Sequence, residues 1–256
     1  MRFGFVKFVV DGSNQGFTAQ QQEPGYLEFG REGMWVTPPE HLPNLFGAYH
    51  AAGFTAHAHC NGDAATELYL NTVENALEEH PRWNHRHTVT HSQLSTAAQY
   101  RRMAALGMCA NIFSNHIWYY GDIHYERVFG PDRACRMNAA ATALRHGVSI
   151  SLHSDTPITP MDPLATASYA ATRETQSGRI LGEQERLSVA EALHAITIGG
   201  AYQLKMDQDV GSIEAGKFAD FAILGSDPLE ATPAGLRDVK VYGTVSGGRH
   251  FPARGV

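Results

Sequence analysis

The strongest constraint on the fold is the alternation of strand-like and helix-like segments along the first two-thirds of the chain. Segments rich in β-branched and aromatic residues predict strands, and apolar residues at helical spacing predict the helices between them. Such alternation is typical of parallel βαβ units and favours an α/β fold. The predicted strands cover residues 3–10, 54–59, 87–91, 108–113 and 148–152. The predicted helices cover residues 41–52, 63–80, 96–106, 132–146, 161–175 and 188–205.

The pattern changes towards the end of the chain. Ser188 is followed three residues later by Glu191, a capping box that predicts the start of the last long helix. From Val210 onward, short strand-like runs at 218–224 and 239–245 are separated by Gly, Asp and Pro. We therefore divide the chain into an α/β part, 1–205, and a small β subdomain segment, 206–256.

Composition excludes several classes of protein. Hydrophobic residues make up 43% of the 256 positions and charged residues 18%, which excludes a disordered chain. No run approaches the roughly 18 apolar residues of a membrane span, so we expect a soluble protein without a membrane partner. A net charge of −6 without a basic stripe argues against a nucleic-acid partner. The length is close to the roughly 250 residues that a (β/α)8 barrel requires.

The cysteines and the first residues bear on location. Cys60, Cys109 and Cys135 are an odd set without CxxC spacing, so we expect reduced thiols and a cytoplasmic protein. The first ten residues contain a short apolar run without a small-residue cleavage site, which favours a strand over a signal peptide. Because the chain begins inside a predicted core strand, we expect that its start is not the natural one.

Residues able to bind a metal occur at the ends of predicted strands. His59 and His91 each close a strand, and Asp155 lies just beyond the strand at 148–152. Since the carboxyl ends of parallel barrel strands converge on one face, two imidazoles and a carboxylate there predict a zinc-type site. Lys7 lies within the first strand, and a buried lysine is costly unless it is neutralised, paired or chemically modified.

Each of these residues also fits a structural role when it is taken alone. A histidine at a strand end is often simply hydrogen-bonded, and Lys7 fits a rim lysine whose ammonium reaches water. Asp155 fits an Asx turn or a helix cap before Pro157. Their occurrence in order on successive strand ends favours one joint site, because the combination is much rarer by chance than any one member.

Four further residues are candidates for binding the substrate. His57 and His153 flank the strand ends, and His116 and Trp118 lie in a predicted long loop before the helix at 132–146. That loop would cover a ligand, although ordinary aromatic packing explains its composition equally well. The remaining histidines on predicted helices, such as His146 and His194, fit structural roles.

Five segments together resemble the amidohydrolase superfamily, specifically the amidohydrolase family 3 branch of YtcJ-like metal-dependent hydrolases. The resemblance covers essentially the whole chain. Residues 6–13 resemble the motif VKIFxDGS, 57–64 resemble HxNGDxA, 90–94 resemble EHxQL, 153–157 resemble SDxP, and 210–221 resemble GSIExGKxADxxVL. The last motif is typical of the superfamily, and the others in combination are typical of the branch.

The resemblance implies a zinc-type (β/α)8 hydrolase with one or two divalent metals. Lys7 would then be the fourth-strand lysine, in carboxylated form a bridge between two metals. His59 and His91 would be ligands from the fifth and sixth strands. Asp155 would be the catalytic eighth-strand aspartate, which binds metal and accepts the proton of the attacking water. The implied reaction is hydrolysis of a small-molecule amide, such as an N-substituted formamide or N-acyl compound, or of an ester or cyclic C–N bond.

One departure from the family pattern determines our expectation for the architecture. The family carries a His-x-His pair well upstream of the lysine motif, but only six residues precede Lys7, and the His85-Arg86-His87 segment begins its strand rather than ends it. Thr90 stands where the family often has Glu. The pattern therefore predicts a partial TIM barrel, strands four to eight, with a C-terminal β-sandwich segment.

Such a chain would be a fragment, or one part of a split gene. Its open sheet edges predict a homo-oligomer or association with the missing N-terminal half. The alternative interpretation is a non-catalytic binding or assembly module that keeps a partial metal site.

Overall fold

Five parallel strands form the larger of two sheets in the computed structural model, which describes residues 4–30 and 33–253. Neighbouring strands follow chain order, so each connection crosses over through at least one helix. Each predicted strand is present: the second is shifted by one residue, and the other four are shorter than predicted by one to three residues. Residue 3 of the first predicted strand lies outside the described residues. The strands are β1 Phe5–Val9, β2 Thr55–Cys60, β3 Thr88–His91, β4 Cys109–Ile112 and β5 Ser149–Leu152.

Helices connect and follow these strands. The capping box predicted at Ser188 is present, and Thr96 forms a second one with Gln99. The helices are α1 Leu42–Ala51, α2 Asp63–Glu79, α3 Ala97–Ala105, α4 Asn115–Ile123, α5 Pro131–Arg136, α6 Ala140–Arg145, α7 Pro163–Thr172, α8 Val189–Ile196 and α9 Ile198–Gln203. None of the helices in the described ranges is long and apolar enough to cross a membrane.

The smaller sheet is antiparallel and lies in the predicted β segment. It contains β6 Phe221–Leu224, β7 Val241–Ser246 and β8 Arg249–Pro252. The third strand was not predicted. Gly247 and Gly248, with φ of 55° and 79°, form the turn between β7 and β8, where positive φ matches the twist of a hairpin.

Three predictions about helices are wrong, in each case because tertiary contacts override the local pattern. The predicted loop before residue 132 contains α4 and a π-helical turn, His124–Val128. The predicted helix at 132–146 is divided into α5 and α6 near Asn138, where the amide donates to the Gln93 carbonyl over 2.7 Å and φ is 49°. The predicted helix at 188–205 is divided at Thr197 into α8 and α9.

The strand residues alternate between two faces of the parallel sheet. One face packs against helices in the main hydrophobic core. The register pairs Lys7 with His57 and His59 with Thr90, so these side chains share the opposite face, which we name the polar face. The core side chains include Phe8, Ala56, Ala58, Val89, Ala110 and Ile150. The polar face comprises Lys7, His57, His59, Thr88, Thr90, Asn111 and Ser151.

The segment from α9 to Asp207 covers the amino-terminal end of the polar face. The Gln203 amide nitrogen donates to the Ala110 carbonyl over 2.9 Å, and Ser151 Oγ donates to Gln203 Oε1 over 2.6 Å. Arg86, which precedes β3, donates to Asp207 over 2.5 Å. These contacts fix the lower end of the sheet and leave the carboxyl ends of its strands to form a site.

Candidate metal centre

The carboxyl ends of β3 and β5 bring His91, His153 and Asp155 together. One ligand atom of each residue lies within 4.8 Å of the others. His91 is the last residue of β3, and the other two follow β5 directly. The structure thus groups two predicted metal ligands, His91 and Asp155, with a histidine that we predicted to contact the substrate. This His-His-Asp group could bind a metal ion.

The backbone at this group is unusual for residues other than glycine. His91 has a φ of 72° and Asp155 a φ of 53°, both in the left-handed region. Regular alternation would place His91 on the helix-covered face with its paired residues, Cys60 and Ile112. Instead its ring lies 4.4 Å from that of His59, centroid to centroid. Such strained backbone positions persist where the surrounding structure enforces them, and they cluster at functional sites.

His59 lies beside the three-residue group with a defined orientation. Its Nε2 lies 2.9 Å from the Gly12 carbonyl oxygen, which can only accept a hydrogen bond. Nε2 therefore carries the proton and Nδ1 keeps its lone pair. This arrangement is typical of metal-binding histidines, which donate their second ring nitrogen to a backbone carbonyl or a carboxylate.

Two nitrogen atoms in the group are buried without a partner. Within the described ranges, Nδ1 of His91 and Nε2 of His153 have no hydrogen-bond partner. Burial, with the charges of Lys7 and His59, lowers the pKa of His153 to about 3. Burial and the neighbouring histidines hold the pKa of His91 well below its usual value.

The donor set fits a metal ion. Both imidazoles stay neutral near pH 7 and keep lone pairs, which metal binding requires. An unpaired buried nitrogen is costly and calls for a ligand. Two imidazoles and one carboxylate are ligands that zinc and similar divalent ions use.

Of the two interpretations of Lys7, the structure favours the rim lysine over the buried one. Its side chain is exposed on the polar face of β1, which is an edge strand of the parallel sheet. Partial desolvation still lowers the pKa of the Lys7 ammonium, and the Asp155 carboxylate opposes that shift. The charges of Lys7 and Asp155 therefore act on one another, although the assignment of Lys7 as a metal ligand stays a prediction.

The predicted substrate-binding residues lie in different parts of the fold, and only some of them are near the metal group. His57 pairs with Lys7, one pleat below His59, and its Nε2 is buried without a partner in the described part of the chain. His116, on α4, is buried with its ring 6.3 Å from that of His91. Trp118 stacks on Tyr169 at 5.3 Å, on nearly the opposite side of α4 from His116. The geometry therefore brings His116 near the metal group and directs Trp118 towards α7.

Asp11 is a residue whose importance the sequence reasoning missed. It is fully buried just after β1, and its carboxylate accepts hydrogen bonds from the backbone amides of Gln20, Asn61 and Gly62. Its Oδ1 lies 3.7 Å from His59 Nε2. Burial raises the pKa of Asp11 to about 7 despite these donors. Asp11 belongs to the segment 6–13 that resembles the motif VKIFxDGS, but the resemblance alone assigns it no role.

The parallel sheet, with two imidazoles and a carboxylate grouped at its carboxyl edge, defines an α/β protein with a candidate metal site at its strand ends. The profile of the amidohydrolase family matches residues 1–251, and the chain belongs to this family. The protein YtcJ of Bacillus subtilis, named as an amidohydrolase, is 30% identical over 253 residues, which cover 97% of this chain and 47% of YtcJ. An N-substituted formamide deformylase of Arthrobacter pascens is 27% identical over 192 residues, which cover 75% of this chain and 35% of that enzyme.

A solved structure supports the same relationship. A metal-dependent hydrolase of unassigned function from Pyrococcus horikoshii superimposes with a TM-score of 0.76 at 25% identity, covering 89% of this chain and 45% of that chain. This chain thus spans less than half the length of each of these three relatives.

Proposed function

We propose that this chain takes part in the metal-dependent hydrolysis of a C–N amide-type bond. The observation that carries the proposal is the convergence of His91, His153 and Asp155 at the carboxyl edge of the sheet. Membership of the amidohydrolase family and the similarity to a metal-dependent hydrolase support it. Because the chain spans less than half the length of those relatives, its activity should be compared with that of an intact family member.

His91, His153 and Asp155 would hold the metal, with His59 and Lys7 as further ligands. Zinc is the ion we propose, because imidazole and carboxylate ligands suit it. A divalent ion there supplies Lewis acidity and lowers the pKa of a bound water towards neutrality. Carboxylation of the exposed Lys7 amine by CO2 would provide two more ligand oxygens for a second ion.

Asp155 is the proposed general base. Its carboxylate would take a proton from the attacking water as the water oxygen bonds to the amide carbonyl carbon. The C–N bond then breaks, and the same proton passes to the leaving nitrogen. The products are a carboxylic acid and an amine, so atoms and charge balance without another reactant.

His57 and His116 are the nearby groups available to orient a substrate, since His153, predicted from the sequence for that role, is proposed here as a metal ligand. His116 is buried close to His91, and its neutral ring can exchange one hydrogen bond with a polar substrate group. The formamide deformylase among the relatives makes a small N-substituted formamide or N-acyl amide the first substrate class to test. Trp118 remains a proposed substrate contact, although its stacking on Tyr169 favours a packing role.

We further propose that the parallel sheet is strands four to eight of a (β/α)8 barrel, with the polar face inside. A second copy or a complementary N-terminal half would cover that face. The exposure of Phe5 and Val9 on the edge strand β1, at 38% and 40%, supports such a partner. Light scattering after gel filtration tests this proposal: a mass of one chain at micromolar concentration would contradict the homo-oligomer.

Turnover is tested with a panel of N-substituted formamides and N-acyl amines, with zinc and bicarbonate present. We expect amine release by the wild-type chain, loss in Asp155→Asn and retention in Asp162→Asn, which removes a helix-capping carboxylate instead. Metal binding without turnover would favour the alternative, a binding or assembly module with a partial metal site. The absence of both metal binding and turnover would contradict the proposal.

A further inference from the structure

A single buried carboxylate connects three segments around the candidate metal centre. Asp11 Oδ2 accepts from the amides of Gln20 and Gly62 at 3.0 and 2.8 Å, and Oδ1 accepts from the amide of Asn61 at 3.0 Å. The segments are very close, since a Cβ atom on Gly62 would lie 1.8 Å from the Gln20 carbonyl oxygen. The loop after β2 therefore has little freedom as long as Asp11 accepts these bonds.

A second set of contacts, made by residues that follow β1 and β3, fixes the same loop. The Asn61 carbonyl accepts from the side chain of Asn14 at 3.2 Å and from the amide of Leu94 at 3.1 Å. Asn14 also donates to Gln93 Oε1 over 2.8 Å. Gln93 and Leu94 lie two and three residues after His91, so the loops after β1, β2 and β3 form one connected unit.

His59 is oriented by this unit. Its Nε2 lies 2.9 Å from the Gly12 carbonyl and 3.7 Å from Asp11 Oδ1, both of which are acceptors. The side-chain nitrogen Nδ2 of Asn61 lies 3.1 Å from the same Nε2 and donates to the Gly12 carbonyl over 2.9 Å. All three groups belong to the segments that Asp11 connects. A displaced Gly12 or Asn61 would release the ring and allow the proton to move to Nδ1.

We propose that Asp11 is a positioning residue, which fixes the His59 ring so that its Nδ1 lone pair faces the metal centre. The proposal rests on the proposed function for its metal, but its effect on His59 is independent of any ion. Asp11 acts through backbone amides and through Gly12, and it contacts no substrate. Carboxylates in this supporting position typically change metal affinity by about 10- to 100-fold.

Replacement by asparagine is the sharpest test, because the side chain keeps its shape. The backbone N–H groups of Gln20 and Gly62 both donate to Oδ2, so the side-chain oxygen of the new asparagine will occupy that position. Its NH2 group will then face the backbone N–H of Asn61, a donor facing a donor. Asp11→Asn therefore removes the bond to Asn61 while adding no volume. Asp11→Ser, a shorter acceptor, serves as a second variant if Asp11→Asn does not fold.

The control is Asp207→Asn, which removes a carboxylate bonded to Arg86 at the opposite end of β3. Two measurements are made on the full chain: long-range 15N NMR of the His59 imidazole without metal, and titration with Co2+ followed by its visible absorption. We expect Asp11→Asn to mix the His59 tautomers and to weaken Co2+ binding by about tenfold. Asp207→Asn should change neither.

An unchanged His59 tautomer and an unchanged Co2+ affinity in Asp11→Asn would overturn the proposal. The same holds if Asp207→Asn produces equal changes, since the effect would then be general destabilisation. If the wild-type chain binds no Co2+, the proposed function fails, and mixed tautomers in Asp11→Asn alone would still support positioning by Asp11.

Discussion

The imidazole rings of His59 and His91 lie 4.4 Å apart, centroid to centroid, at an interplanar angle of 72°. The two residues lie at the carboxyl ends of neighbouring parallel strands, His59 one residue before the end of β2 and His91 at the end of β3, but regular alternation would direct their side chains to opposite faces. The left-handed backbone of His91, with φ of 72°, accompanies its turn towards His59. This contact joins the three-residue group on β3 and β5 to the loops of β1 and β2.

Removal of the His91 imidazole should abolish tight metal binding. We expect His91→Ala to weaken Zn2+ binding by more than about tenfold, since one of three grouped ligands is lost. His41→Ala is the matched control, because His41 is exposed before α1 and caps no amide with its side chain. Isothermal titration with Zn2+ makes the comparison. Equal affinities in the two variants would show that the metal binds elsewhere.

Stability should fall in mild acid because of a buried histidine chain. The Ala56 amide donates to Nδ1 of His87, so Nε2 of His87 carries the proton and donates to Nδ1 of His50 over 2.9 Å. His50 in turn donates to the His80 carbonyl over 2.8 Å. His85 accepts from the His87 amide and donates to a carbonyl. Each ring is thereby fixed in one neutral tautomer.

Burial lowers the pKa of His50, of His87 and, to about 4, of His85. Because the folded pKa values lie below the unfolded value of about 6.5, stability is complete above that pH and is lost as the pH falls. His85 and His87 each contribute up to about 2 kcal/mol between pH 6.5 and 5. Urea unfolding at pH 7 and pH 5 measures this, and His87→Gln should flatten the dependence. A stability that is equal at both pH values would contradict the assignment of neutral rings.

The buried Arg173 should be essential for stability. Its guanidinium donates to the carbonyls of Leu181, Asn138 at 3.0 Å and Met137 at 2.8 Å. Arg173→Met leaves these buried acceptors unsatisfied, and we expect a loss of about 2–4 kcal/mol in the free energy of unfolding. Arg127→Met, which removes an exposed pair with Glu28, should change little. Thermal unfolding of both variants checks the difference, and similar midpoints would refute the account of Arg173.

The order of strands and most helix positions could be predicted from the sequence, because hydrophobic periodicity reflects burial directly. The division of the helices near Asn138 and Thr197 could not. The Asn138 amide contacts the Gln93 carbonyl, and Gly199, two residues after Thr197, lies close to the backbone of Ile150. Both divisions therefore depend on contacts with residues far away in the sequence. A window of neighbouring residues carries no information about such contacts.

The site shows the same limit. Convergence of strand ends predicted that His91 and Asp155 meet, since any parallel sheet brings its carboxyl ends to one edge. It did not select His153 as a member of the group, because that depends on how the chain turns after β5. Asp11 was missed for a related reason: only the folded loops bring three amides to its carboxylate.

The central claim is that His91, His153 and Asp155 bind one metal ion at the carboxyl edge of the sheet. X-ray data collected at the zinc absorption edge, from crystals of the protein grown with Zn2+, test it most directly. The account predicts an anomalous peak within bonding distance of all three residues, with coordination distances of about 2.0–2.2 Å. A zinc peak elsewhere, with none between these residues, would contradict it.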